Sequence, residues 1–244
     1  LDALDPAMRR QLTVSTKVGT HPQRRHHYKL DDIRWCYETS RQLLGPIDIV
    51  FVHDPSSDQD MDTIMGSGGA FEFLEQLRGE GEIRGIGLGN RSHRWLRRVI
   101  DSGRADLILP SYDYHPIRQS VVPLLDHAAA ANVGVVHGSP YQSGLLAGID
   151  LDALKRSADD ADLLRARQIY AWCDERHVEV GAIAVQYSLR ESRIGATLVG
   201  PRTVDEVEAN VRHATTAIPD ALWGELDDFL GQLQPPPNPG GEAH

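Results

Sequence analysis

Short apolar runs alternate with amphipathic runs along most of the chain. The apolar runs are continuous, which is typical of parallel strands that are buried on both faces of a sheet. Six such strands are predicted, over residues 12–18, 47–53, 83–90, 106–113, 133–140 and 196–201. Helices are predicted over residues 31–44, 70–81, 92–103, 120–132, 161–177, 181–191, 203–214 and 219–233. Residues 21–29 are predicted to form a solvated loop, and residues 61–69 a linker.

This repeated strand–helix order predicts an α/β fold with a parallel sheet. Two architectures compete, a doubly wound open sheet and a (β/α)8 TIM barrel. A dinucleotide-binding open sheet carries G-x-G-x-x-G after its first strand. The only comparable stretch, GIGLGN at 85–90, lies in a middle strand and lacks the third spacing. The barrel is therefore favoured, with about six of its eight β/α units present in this chain.

The missing units are expected on the N-terminal side. A complete barrel of this class takes roughly 250 residues. This chain has 244 residues, ends in closing helices and a Pro- and Gly-rich tail, and begins with Leu rather than Met. We therefore predict a single, N-terminally incomplete barrel domain over residues 1–233 and a disordered tail over residues 234–244.

Composition narrows the choice of partners and compartment. The net charge of −10 argues against nucleic acid or an anionic membrane as a partner, because both require a basic surface. No apolar run is long enough to span a membrane. The cysteines, Cys36 and Cys173, lie far apart in sequence and are expected to be free thiols in a reducing cytoplasm. No metal site is predicted.

Polar or titratable residues lie where nearly every predicted strand ends. In a barrel these carboxyl ends carry the chemistry. Any one residue is explained equally well as a turn residue facing water, but a functional site explains the whole set better. An unpaired ammonium buried in a strand is costly, so Lys17 is expected to have a functional reason. The set comprises Lys17, His53, Asp54, Asn90, Ser111, Tyr112, Tyr114, His137, Ser139, Gly200 and Arg202.

Five of these strand ends carry a family resemblance. The stretches are STKVG (15–19), DIVFVHDP (48–55), IRGIGLGN (83–90), GSPYQSGLLAG (138–148) and LVGPRTVDEVEAN (198–210). In this order they resemble the aldo-keto reductases, and most closely the bacterial aldose (fucose-type) dehydrogenases. The resemblance covers nearly the whole chain. It implies hydride transfer between a nicotinamide cofactor and a small carbonyl, alcohol or sugar substrate.

The resemblance also implies a catalytic group of four residues. A tyrosine acts as general acid or base, a lysine lowers the pKa of that tyrosine, an aspartate pairs with the lysine, and a histidine orients the substrate oxygen. Lys17 matches the lysine and His53 the histidine. The matching tyrosine and aspartate would lie upstream of Leu1. Of the tyrosines present, Tyr112 and Tyr114 lie far from Lys17 in strand order, and Tyr28 lies in a loop that the sequence does not position.

Six further residues match cofactor positions. The resemblance places Asn90 and Ser111 at the nicotinamide carboxamide, Ser139 beside it, and Gly200, Arg202 and Asn210 at the adenosine half. Ser111 replaces a glutamine and Gly138 an aromatic residue that many relatives carry. Glu206 stands where many relatives have a basic residue or glutamine, and a carboxylate repels a 2′-phosphate. NADP is the expected cofactor, and NAD remains open.

Two alternatives of a different class stay open at this point. The chain could be a redox-inactive nucleotide-binding or regulatory homologue, which would bind the cofactor without turnover. The same scaffold could also run a lyase or isomerase step with its remaining strand-end groups. The exact substrate and the oligomeric state are not specified by the sequence.

Overall fold

The structure, a computed structural model, describes residues 4–25, 27–157 and 159–234. These residues fall into two units, one within residues 4–110 and 127–135 and the other within residues 111–126 and 136–234. The predicted single domain stays a prediction. Beyond Gln234, the predicted tail lies outside the described residues.

The first unit is built on a parallel sheet that pairs in the order β1, β4, β5, β6 and the start of β7. A short antiparallel hairpin, β2 with β3, follows β1. The strands are β1 (Ser15–Val18), β2 (Thr20–His21), β3 (Arg24–Arg25), β4 (Ile49–His53), β5 (Gly85–Gly89), β6 (Leu107–Leu109) and β7 (Gly134–Gly138).

Five helices follow or precede these strands in the first unit: α1 (Pro6–Arg9), α2 (Leu30–Leu44), α3 (Asp58–Met65), α4 (Ala70–Gly79) and α5 (His93–Asp101). Their ends follow ordinary capping chemistry. The Asp5 and Ser57 side chains accept hydrogen bonds from backbone amides at the starts of α1 and α3. Helix α2 ends at Gly45, whose φ of 76° suits glycine.

The second unit contains the end of β7 paired in parallel with β8 (Ala196–Leu198). Eight of the ten residues of α8 are buried, which is typical of a helix that is apolar all round. Asp160 and Thr203 cap α7 and α9 with their side chains. The helices are α7 (Ala161–Glu175), α8 (Val180–Leu189), α9 (Val204–Thr215) and α10 (Asp220–Gln232), with a 3-10 turn at Leu151–Ala153; α6 (Val122–Ala130) has residues in both units.

Glycines in β5 shape the sheet face that carries His53. Phe51 and His53 of β4 pair in register with Gly87 and Gly89, and alternate residues of a strand share a face. A Cβ atom at Gly87 would lie 2.6 Å from the Phe51 ring and from the Leu107 carbonyl oxygen, and one at Gly89 would lie 3.3 Å from the His53 ring. The glycine run in GIGLGN therefore makes room for large side chains of the neighbouring strand.

All six predicted strands and all eight predicted helices are confirmed, with shorter strands than expected. The prediction of a linker over residues 61–69 is wrong for its first half, because α3 extends to Met65. The prediction of a loop over residues 21–29 is wrong where β2 pairs with β3. The fold class is α/β with six parallel strands in the described residues, and closure into an eight-unit barrel stays a prediction.

Candidate functional site

In the first unit, β4 delivers His53 at the point where the chain turns. Asp54, the next residue, has a φ of 49°, which is uncommon outside glycine and concentrates at functional sites. Its amide donates to the Gly89 carbonyl oxygen at 2.9 Å. The Asn90 side chain donates to the Pro55 carbonyl oxygen, also at 2.9 Å. The turn after His53 is thus fixed to β5 and the residue that follows it.

The His53 imidazole is 27% exposed and has protein contacts at both nitrogens. Nδ1 lies 2.7 Å from the Thr20 hydroxyl, and Nε2 lies 3.4 Å from a carboxylate oxygen of Asp54. The Tyr28 hydroxyl donates to the His53 carbonyl oxygen at 2.9 Å. The segment that follows β1 therefore contacts both the ring and the backbone of this histidine.

Tyr28 is a neighbour of His53 that the sequence did not position. Its ring packs on Gly19, where a Cβ atom would lie 2.5 Å from the ring and where φ is 96°. Burial raises the pKa of Tyr28, and the charges of Asp60 and Asp54 raise it further. A raised pKa and a hydroxyl already donated to a carbonyl suit a structural role better than proton exchange with a substrate.

Lys17 lies on the same sheet face as His53. It pairs in register with Phe51, two residues before His53 in the parallel strand β4. The expectation that Lys17 is buried is wrong, because its side chain is exposed. No hydrogen bond or ion pair joins it to any residue in the described ranges.

Asn90 is buried at the end of β5, and its amide is partly engaged. Its oxygen accepts from the Ser92 amide at 2.7 Å, and its nitrogen donates to Pro55. A carboxamide carries two N–H groups and two lone pairs, so one of each remains. The expected contact with a nicotinamide carboxamide stays a prediction.

In the second unit, a cleft of about 630 Å³ gathers four of the predicted cofactor residues. Its volume is within the range of small-molecule sites. Ser111 does not line the cleft. It precedes the lining residue Tyr112 in sequence and forms a parallel β-bridge with Gly138. The four predicted residues in its wall are Ser139, Gly200, Arg202 and Asn210.

One wall of this cleft is a loop in an unusual backbone conformation. Ser139, Gln142, Ser143 and Gly144 have φ values of 63°, 47°, 54° and 91°. The amides of Gln142 and Leu145 donate to carbonyl oxygens within the loop, whereas those of Ser143 and Gly144 make no backbone hydrogen bond among the described residues and could meet an anion. Backbone strain of this kind concentrates at ligand sites. The loop is therefore a candidate phosphate cradle.

The opposite wall is the start of α9, where charges of both signs meet. Thr203 caps the helix, and a Glu206 carboxylate oxygen accepts from the Arg202 amide at 2.5 Å. The Arg202 side chain is 88% exposed and lies 3.6 Å from Glu206. An anion here would meet the helix N-terminus and Arg202, which attract it, and Glu206, which repels it.

Two further cleft residues, Tyr141 and His213, have no marker in the sequence. The Tyr141 hydroxyl lies 3.0 Å from His213 Nδ1, and His213 Nε2 lies 3.2 Å from Glu179. Burial raises the pKa of Tyr141 to about 12. Burial also lowers the pKa of His213, although Glu179 opposes the shift. A neutral His213 therefore accepts from Tyr141 and donates to Glu179, which joins the loop wall to α9.

Other kinds of site find little support in the described part of the chain. None of its helices is long and apolar enough to cross a membrane. No group of three or more His, Cys, Asp or Glu side chains there could hold a metal ion. Cys36 and Cys173 are free and buried, as expected from their spacing, and burial raises the pKa of the Cys173 thiol to about 12.

Comparison with known proteins identifies the class. The model described as "Aldo/keto reductase family" matches residues 1–230, so the chain belongs to the aldo/keto reductase family. It is 30% identical to the D-threo-aldose 1-dehydrogenase of a Pseudomonas species, over 89% of this chain and 74% of that protein. It is 29% identical to the pyridoxal 4-dehydrogenase of Microbacterium luteolum, over 82% of this chain and 62% of that protein.

A plant relative is also similar. The chain is 27% identical to the L-galactose dehydrogenase of Arabidopsis thaliana, over 83% of this chain and 63% of that protein. The chain thus spans less than two thirds of the length of two of these three relatives.

Proposed function

We propose that this protein is an NAD(P)-dependent oxidoreductase that moves a hydride between a nicotinamide cofactor and a small carbonyl compound or sugar. The observation that carries the proposal is the cleft whose walls are the loop after β7 and the start of α9. Family membership supports the reaction class, and the names of the relatives, dehydrogenases of aldoses and of pyridoxal, support the substrate class.

The cleft residues fit a dinucleotide. The left-handed loop at Ser139 and the N-terminus of α9 offer backbone amides for phosphates, and Arg202 offers a guanidinium. Asn210 offers an amide to the adenosine half. A Cβ atom at Gly200 would meet nothing within 4 Å, so this backbone is open to a ligand. The bound nicotinamide supplies or accepts the hydride.

In this proposal Lys17 and His53 support the chemistry. His53 would hydrogen-bond the substrate oxygen, which its partial exposure permits. The ammonium of Lys17 would favour the ionised form of an acid–base group near it. By resemblance that group is a tyrosine, and no tyrosine of this chain matches it, so turnover is measured on the complete gene product.

The test is NAD(P)H-linked reduction of small aldehydes and oxidation of aldoses by the complete gene product. Lys17→Met is expected to lower kcat at least about 100-fold, because it removes the charge that tunes the acid–base group. The exposed Lys155→Met is the matched control and should keep full activity. Unchanged turnover in Lys17→Met would contradict the assignment. Cofactor binding without any turnover would favour a redox-inactive homologue.

We propose that Glu206 and Arg202 set the preference between NADP and NAD. The guanidinium favours a 2′-phosphate, whereas the carboxylate repels it and suits a ribose hydroxyl. Glu206→Gln removes the charge but keeps an oxygen that can accept from the Arg202 amide. The ratio of the NADH to the NADPH dissociation constant should rise several-fold in this variant. Glu208→Gln, exposed on the same helix, is the control.

A further inference from the structure

We infer that Thr20 is a positioning residue that, together with Asp54, fixes the orientation and the tautomer of the His53 imidazole, with the ring proton on Nε2. The catalytic consequence of this inference rests on the proposed oxidoreductase function. The tautomer itself is a property of this chain and is measurable without turnover.

The contact with Thr20 occupies Nδ1. The Thr20 hydroxyl oxygen lies 2.7 Å from Nδ1, which is a short hydrogen bond for an oxygen and a nitrogen. A hydroxyl can either donate to this nitrogen or accept from it, so the distance alone does not assign the proton.

The contact with Asp54 favours one of these two possibilities. Its carboxylate oxygen lies 3.4 Å from Nε2. An ionised carboxylate only accepts, so it favours a proton on the nitrogen that faces it. In the neutral ring the proton is then on Nε2, Nδ1 is the acceptor, and Thr20 is the donor. The hydrogen bond made by one ring nitrogen thus sets the state of the other.

The backbone around Thr20 keeps its hydroxyl in place. Thr20 pairs with Arg25 in the β2–β3 hairpin and directly follows Gly19. The left-handed Gly19 turns the chain, and the ring of Tyr28 packs against it. Tyr28 in turn donates to the His53 carbonyl oxygen. One short segment therefore holds His53 at its ring and at its backbone.

This arrangement determines what His53 can offer to a substrate. With Nδ1 engaged by Thr20, a substrate oxygen would meet the ring at Nε2, where it would compete with the 3.4 Å contact to Asp54. An N–H directed at a carbonyl oxygen stabilises the negative charge that develops there during reduction. A ring that exchanged between two tautomers would present this donor for only part of the time.

The first experiment measures the tautomer in this chain by long-range ¹H–¹⁵N correlation spectra of labelled histidine. In the wild type and in Thr20→Ser we expect widely separated ¹⁵N shifts, with the proton on Nε2. In Thr20→Val we expect the two shifts to move toward each other. Thr16→Val is the matched control, because its hydroxyl donates to Ser40 at 2.9 Å and not to His53. A wild-type proton on Nδ1, or an unchanged spectrum in Thr20→Val, overturns the inference.

The second experiment measures steady-state kinetics of the complete gene product. Thr20→Val should lower kcat about tenfold while KM for the dinucleotide stays unchanged, and Thr20→Ser should restore kcat. An unchanged kcat in Thr20→Val overturns the positioning role. Wild-type protein without any turnover would contradict the proposed function instead, and the spectra would still decide the tautomer.

Discussion

The turn after His53 and the cleft of the second unit use polar groups in opposite ways. At the turn, His53, Asn90 and Tyr28 all hydrogen-bond to other parts of the protein at 2.7–2.9 Å. In the cleft, the side chains of Ser139 and Asn210 make no hydrogen bond with any described residue. The first region is already organised by the protein, whereas the second leaves these two side chains available to a ligand.

This difference predicts how each region responds to mutation. A change near His53 removes an interaction inside the folded protein, so it should alter stability or ring geometry. A change in the cleft removes an interaction that only a ligand completes, so it should alter affinity at constant stability. The following predictions test this distinction, beginning with the largest expected effect.

Gly87→Ala should be the most destabilising change, by about 3 kcal/mol, because overpacking a rigid sheet forces the backbone to move. The new Cβ atom would lie 2.6 Å from the Leu107 carbonyl oxygen and from the Phe51 ring. Gly79→Ala in α4, which meets nothing within 4 Å, is the control and should be neutral or slightly stabilising. Urea unfolding measures both. Equal stabilities would refute the role assigned to the β5 glycines.

The second unit has a pH-sensitive core at His115, which is fully buried and contacts Gln142 at 3.1 Å. Burial, and next the nearby His137, lower the pKa of His115 to about 3. In the unfolded chain histidine binds a proton near pH 6.5. The contribution of His115 to the free energy of unfolding is therefore fully present above this pH. It falls by about 1.4 kcal/mol per pH unit as the pH decreases toward 3.

In His115→Leu the free energy of unfolding should depend less steeply on pH below about 6.5, by the equivalent of about one bound proton. Urea unfolding at several pH values measures this dependence. The control is His177→Asn, because His177 is exposed and its φ of 55° suits asparagine. A slope that is the same in His115→Leu and in the wild type would contradict the assignment to His115.

The sequence predicted the strands, and the polar residues at their ends, best where a buried strand appears as a continuous apolar run. The run that becomes β4 is apolar on both faces, so its type and the position of His53 at its end were both predicted. Helix α3 was missed because it spans only eight residues and ends beside three glycines. Its start at Ser57, a common N-cap residue, was the available signal.

The contacts that organise the site were not predictable from local pattern. Thr20 and His53 are 33 residues apart in sequence, and Tyr141 and His213 are 72 apart. The left-handed conformation of Ser139 is imposed by its surroundings, since serine has no preference for it. These contacts and this conformation depend on tertiary packing, which the periodicity of the sequence does not encode.

Tyr28→Phe tests whether the Tyr28 hydroxyl stabilises the turn after His53. Losing the hydrogen bond to the His53 carbonyl oxygen should cost about 1 kcal/mol of stability. Tyr37→Phe is a close control, because Tyr37 is also buried in the first unit and its hydroxyl has no hydrogen-bond partner among the described residues. That variant should be neutral or slightly more stable. Equal losses in the two variants would mean that the Tyr28 hydroxyl does not hold the turn.

Asn210→Ala tests the other side of the comparison, with the smallest expected effect. Its side chain has no hydrogen bond to lose within the described residues, so the free energy of unfolding should change by less than about 0.5 kcal/mol. Dinucleotide affinity should fall about fivefold, as expected for one lost hydrogen bond to a ligand. Isothermal titration with NADH and NADPH measures the affinity. A large loss of stability at constant affinity would mean that Asn210 stabilises the folded protein, as the residues at the His53 turn do, and does not bind the dinucleotide.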